Sequence, residues 1–158
     1  MSLLMQVSGV TGESKLGDQQ GWLSLTGFNW GGDRGRSVSA HAGAAVSRVF
    51  TKPQLREVTV VREADSASSQ LWAQLIQQSA LDVKIRWLRP EQGSTTHFLE
   101  VSLTGARVIS LEDASGGDRP VETLKLSYEE IEIIYFPLDD SVSGSQQVVT
   151  YALPTGEA

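Results

Sequence analysis

Between residues 121 and 136 apolar side chains alternate with polar ones, and the phase of that alternation reverses midway. Leu124, Leu126 and Tyr128 stand at even positions, whereas Ile131, Ile133 and Tyr135 stand at odd ones. Successive side chains of a strand point to opposite faces, so an unbroken regular strand would turn one of these sets to water. The segment therefore requires a bulge or a sharp twist near Glu129 and Glu130.

Residues 4–10 form a short strand and residues 11–20 a polar loop. Residues 21–30 form a second strand with Trp22, Phe28 and Trp30 at even positions on one face and Leu23 and Leu25 on the other. Apolar residues on both sides suit a strand buried between a core and a neighbouring strand or subunit. Residues 31–45 are Gly-, Ser- and Ala-rich, carry Arg34, Arg36 and His41, and read as one long loop, the kind of segment that is commonly functional. A short strand follows at 46–50, and a strand at 55–63 sets Val58 and Val60 opposite Leu55, Thr59 and Val61.

One helix is predicted, over residues 66–79. Asp65 and Ser66 offer oxygens to its free N–H groups, and Leu71, Trp72, Leu75 and Ile76 form one apolar face. Strands are expected at 81–89, 96–104 and 106–111, with Gly105 as a bulge or bend rather than a turn. A polar loop spans 112–120. A last strand covers 148–153, and 154–158 reads as a frayed tail. Eight or nine strands and one helix in a single domain point to a mainly β fold, a barrel or a tight sandwich.

Charge and composition narrow the function more than any motif does. The net charge of −6 supplies no positive field for nucleic acid or an anionic membrane surface. There are no cysteines, which excludes disulfides, thiolate zinc sites and cysteine nucleophiles. The first residues lack a basic region and a long apolar run, so no cleaved secretory signal is expected, and no segment is apolar enough to insert in a membrane. The reading is synthesis in the cytoplasm.

Candidate chemistry is sparse. His41 and His97 have no neighbouring ligands at metal spacing. Gly12, Glu13 and Ser14 do not make a nucleophile elbow; they read as a turn in which the Glu13 carboxylate accepts backbone N–H groups. Glu129, Glu130 and Glu132 suggest acid–base work but have no partner motif, and an exposed face or subunit rim accounts for them better. The glycines and arginines of 31–36 have the elements of a phosphate cradle, without the lysine ending or following helix of a P-loop. No cofactor and no metal are expected.

Several of these stretches, taken in order, resemble the haemolysin-coregulated protein family, the tube subunits of bacterial type VI secretion systems. They are Gly12, Glu13 and Ser14; Phe28, Asn29, Trp30 and Gly31; the strand from Leu55 into Asp65, Ala67 and Ser68, followed by Leu71; Phe98 to Leu103 and then Val108 to Ser110; Glu122 to Tyr128 with Ile131 to Pro137; and Tyr151 to Leu153. The resemblance implies a single β-barrel of two packed antiparallel sheets with one short flanking α-helix. It implies a homohexameric ring, rings stacked into a hollow tube inside a contractile sheath and beneath a spike, and small effectors carried in the lumen. Gly12, Glu13, Ser14, Trp30, Asp65 and Tyr135 would be structural residues of the motif, Asn29 would face the lumen, and the 31–45 loop with Arg34, Arg36 and His41 would join ring to ring. No catalytic residue is implied, and export would proceed without a cleaved signal peptide. Ser68 and Ser69 stand where the family's helix often has proline. A monomeric barrel binding a small apolar ligand through Trp22, Phe28 and Trp30 is the alternative.

Overall fold

The computed structural model describes residues 2–39, 47–50, 52–91, 94–136 and 147–153. In chain order they form β1 (Ser2–Val7), a 3-10 turn (Gly17–Gln19), β2 (Leu23–Leu25), β3 (Gly27–Asn29), β4 (Gly32–Asp33), β5 (Arg36–Ser39), β6 (Ser47–Phe50), β7 (Gln54–Leu55) and β8 (Val58–Glu63). Helix α1 (Ser68–Gln77) follows, then β9 (Leu81–Glu91), β10 (Ser94–Ala114), β11 (Val121–Ser127), β12 (Glu130–Tyr135) and β13 (Gln147–Ala152).

Two antiparallel sheets share one strand. The first runs β2-β1-β9-β10-β12-β13 and the second β10-β11-β8-β3. Strand β10 serves both because it bends. Its residues up to Ala106 pair with β9, and those from Arg107 onward pair with β11. The bend falls at Gly105, whose φ of 63° lies in the left-handed region that glycine adopts without strain. The sequence divides this stretch into two strands at Gly105; it is one strand with a bulge there, and it extends to Ala114, shortening the polar loop.

The phase reversal in 121–136 has the same origin. Its first half is β11 in the second sheet, and its second half is β12 in the first. The break is at Tyr128 and Glu129, where the Glu129 N–H donates to the Thr104 carbonyl at 3.0 Å. Changing sheets lets Leu124 and Leu126 and then Ile131 all reach one core.

Residues 21–30 do likewise, which overturns the reading of them as one strand. Strand β2 pairs with β1, β3 pairs with β8, and Thr26 between them donates its N–H to the Val61 carbonyl at 2.8 Å. The two ends of the sheet path are thus one residue apart in the chain, so the sheets wrap around a common core as a barrel. Met5, Leu23, Ile85, Leu103, Leu124 and Leu126 lie inside it. Leu4, Trp22 and Leu88 form a separate small cluster.

Helix α1 packs on β10 and is shorter than predicted. Only the line Ala67, Leu71 and Leu75 is covered; Trp72 is 37 % and Ile76 78 % exposed, so the four-residue apolar face does not hold. A ten-residue helix lying on the side of a barrel buries only a narrow stripe.

The predicted loop at 31–45 is in part strand. Gly32 and Asp33 pair with Leu55 and Gln54, and Arg36–Ser39 pairs with Ser47–Phe50 to make a two-stranded ribbon. Residues 40–46, 137–146 and 154–158, with His41, the predicted end of the long strand and the frayed tail, lie outside the described residues.

Candidate functional site

The Gly12, Glu13, Ser14 stretch is a clasp between the barrel and the helix. Its backbone runs along residues 21–22: Gly12 N–H donates to the Gly21 carbonyl (2.7 Å), Ser14 N–H to Trp22 (3.0 Å), and Gly21 N–H back to Ser14 (2.9 Å). The approach at Gly12 requires glycine, since a Cβ there would lie 2.4 Å from the Trp22 carbonyl oxygen. Thr11 and the Gln70 side-chain amide exchange two hydrogen bonds, at 3.0 and 3.2 Å. The Glu13 carboxylate accepts from the Ser66 N–H at 3.3 Å. It therefore serves the approach to the helix, not its own turn as the sequence suggests. Asp65 accepts from the Ala67 N–H at 2.8 Å, but the helix begins later than predicted, and its N-cap residue, Ala67, has no side-chain cap.

Behind the clasp lies a group that sequence reasoning missed. Arg62 and Glu122 are fully buried and joined at 2.5 Å, and Arg62 also pairs with Asp65. The signal was present: Arg62 continues the inward parity of Val58 and Val60, and Glu122 that of Leu124 and Leu126. Two opposite charges at inward positions of paired strands face each other, here in direct register.

A second constellation sits where the ribbon leaves the barrel. Trp30 Nε1 donates to the Tyr128 hydroxyl at 2.8 Å, and that hydroxyl donates to the Arg56 carbonyl at 2.9 Å. The Arg56 N–H donates to the Gly31 carbonyl at 2.9 Å. Burial pushes the Tyr128 phenol above its ordinary pKa, an effect opposed by the bond from Trp30.

The remaining candidates do not converge on one place. Asn29 is exposed on β3, beside Thr59. Arg34 is exposed after β4, and Arg36 lies in β5 opposite Phe50. Tyr135 is 41 % exposed on β12. Trp22 belongs to the cluster with Leu4 and Leu88, Phe28 packs edge-on against Trp87 at 4.9 Å, and Trp30 bonds Tyr128, so the three aromatic residues do not line a shared pocket. Glu130 pairs with Thr104 and Ala152, and Glu132 accepts from Thr150 Oγ1 at 3.4 Å. Among the described residues no three His, Asp or Glu side chains gather around a metal position.

On the outer face of the first sheet Arg86 lies over Trp22 and binds Glu100 at 2.6 Å. Burial, and then Arg86, lowers the pKa of His97 below its ordinary value, while Glu100 opposes the shift.

The edge at β13 is uncovered. It pairs with β12, and no second strand flanks it among the described residues. Val148 and Val149 are 49 % and 64 % exposed.

Comparison with known proteins matches residues 4–135 to the family described as type VI secretion system effector, Hcp. No curated protein matches. A solved structure described as a type six secretion system protein is similar over 96 % of this chain and 95 % of its own, with a TM-score of 0.79 and 23 % identity. A type VI secretion system effector from Yersinia pestis is similar over 96 % of this chain and 99 % of its own, with a TM-score of 0.73 and 16 % identity. Hcp1 from Salmonella typhimurium is similar over 96 % and 93 %, with a TM-score of 0.72 and 16 % identity. At these identities the likeness to the solved structures is one of fold.

Proposed function

Since the chain belongs to the Hcp family of the type VI secretion system, we propose that it is a non-enzymatic structural subunit that closes into hexameric rings. These rings stack into a hollow tube. The observation that carries the proposal is the β13 edge. Its sequence, Gln147 to Ala152, contains no charge, glycine or proline, and both of its valines are exposed. Exposed apolar edges of this kind are templates for pairing, and folded proteins otherwise blunt them with charges, proline or bulges. A ring closes when such a surface meets a different surface on the next copy with the right rotation.

The β5–β6 ribbon supports stacking. Its two strands pair only with each other among the described residues, and an isolated two-stranded hairpin is marginal in water. A neighbouring ring supplies the missing packing, with Arg34, Arg36 and His41 as contact candidates. Asn29, exposed beside Thr59, is the candidate for the lumen, where effectors are held weakly enough to be released. A contractile sheath and a spike are the further partners, and export from the cytoplasm proceeds without a cleaved signal peptide. The test is native mass measurement with negative-stain imaging of the purified protein. Hexameric rings with a central hole support the proposal, and a monomer at high concentration overturns it.

A further inference from the structure

We infer that Tyr128 is the positioning residue that aims the β5–β6 ribbon at the adjoining ring. The inference rests on the stacking role proposed for the ribbon. Its ground is the geometry at the ribbon's root.

The chain leaves the barrel after Trp30 and returns at Arg56. Three ties hold these two legs. Gly32 and Asp33 pair with Leu55 and Gln54, the Arg56 N–H donates to the Gly31 carbonyl, and the Tyr128 hydroxyl bonds both legs at once. The first two join leg to leg. Of the three, Tyr128 alone belongs to the barrel, at the switch between β11 and β12 that the Glu129 to Thr104 bond fixes. Its ring is 5 % exposed and part of the core, so the hydroxyl is a fixed point.

The hydroxyl's chemistry is fully directed. A phenol has one proton to give and lone pairs to accept with. Here the proton goes to the Arg56 carbonyl, and the Trp30 indole N–H comes in to the oxygen. Burial keeps that proton on the oxygen. Both legs are thereby set at one distance from one atom. The ribbon beyond has no lateral strand to correct its direction among the described residues, so a small change of angle at the root becomes a large displacement at the far end.

The test compares the full chain with Tyr128→Phe and Trp30→Phe. Each protein is assayed for ring mass, for ring-to-ring association by sedimentation over a concentration series, and for amide hydrogen exchange. Tyr128→Phe keeps the aromatic ring and removes both bonds. Its rings should keep wild-type mass and its β9 and β10 amides their protection. The Arg56 amide should exchange about tenfold faster, and ring-to-ring association should weaken about tenfold. Trp30→Phe, which leaves the bond to Arg56, should give a smaller effect in the same direction, and it carries the test if Tyr128→Phe does not fold. Unchanged association or unchanged Arg56 exchange overturns the inference while leaving the ring reading intact. Wild-type rings that never associate remove the stacking role on which it rests, and absence of rings removes the reading as a whole.

Discussion

Replacing one member of the buried Arg62–Glu122 pair should damage the protein far more than replacing both. The two side chains are fully buried and 2.5 Å apart, with Asp65 as a third, slightly exposed member. Glu122→Leu leaves the guanidinium in the interior with Asp65 as its one remaining carboxylate. Arg62→Met leaves the Glu122 carboxylate there without its cation. Breaking a buried pair in this way costs about 3 kcal/mol. For a domain of this size that corresponds to a fall of roughly 6 to 12 °C in Tm. The double variant Arg62→Met, Glu122→Leu removes the desolvation cost of both charges and fills the space with apolar groups, so it should lie within about 1 kcal/mol of wild type. The assay is urea unfolding of the four proteins at one fixed concentration, because assembly adds stability by mass action. With losses of about 3 kcal/mol for each single variant and at most about 1 kcal/mol for the double, the coupling energy should be about 5 kcal/mol. A double variant whose loss equals the sum of the two single losses would refute the reasoning, since the charges would then act independently.

Two further outcomes follow from the same structure. Gly12→Ala places a Cβ 2.4 Å from a backbone oxygen that cannot move aside, so it should cost about 2 kcal/mol and release the start of the helix, read as faster exchange of the Ser66 amide. Tyr128 has a folded pKa raised above its ordinary 10.0, so its contribution is fully present below that pH and is lost as pH rises through the folded value; unfolding free energy should fall above about pH 10, and Tyr128→Phe should flatten that fall.

The sequence carried the fold to the extent that its signals were periodic. The phase reversal from Leu126 to Ile131 located a break within a residue of where β11 gives way to β12, because both halves bury a face and the parity is therefore fixed. Gly105 was legible as a bulge for the complementary reason that left-handed backbone selects glycine. The break at Thr26 was not legible. Residues 22–30 are apolar on both faces, so a change of sheet leaves no parity mark, and of three aromatic residues that look aligned Phe28 and Trp30 pack against the main core while Trp22 belongs to the separate cluster. Of the ribbon, β6 was legible as the strand expected at 46–50, whereas its partner β5, Arg36 to Ser39, was hidden in a Gly- and Ser-rich stretch with a single apolar residue, Val38, and so no hydrophobic alternation. The Glu13 to Ser66 and Tyr128 to Arg56 contacts span 53 and 72 residues, and no local pattern encodes such a partner. Of the stretches that carried the family resemblance, Gly12 to Ser14 falls on the clasp and Trp30 and Gly31 on the ribbon root, where backbone geometry restricts the choice of residue, while Phe98 to Leu103 lies inside β10.

The central claim is that this chain acts by assembling, and the most direct measurement of it is the native mass of the purified protein at rising concentration, with imaging of the same sample. The account predicts a hexamer seen as rings with an open centre, and end-to-end association of those rings as concentration increases. A monodisperse monomer at the highest concentration would contradict it.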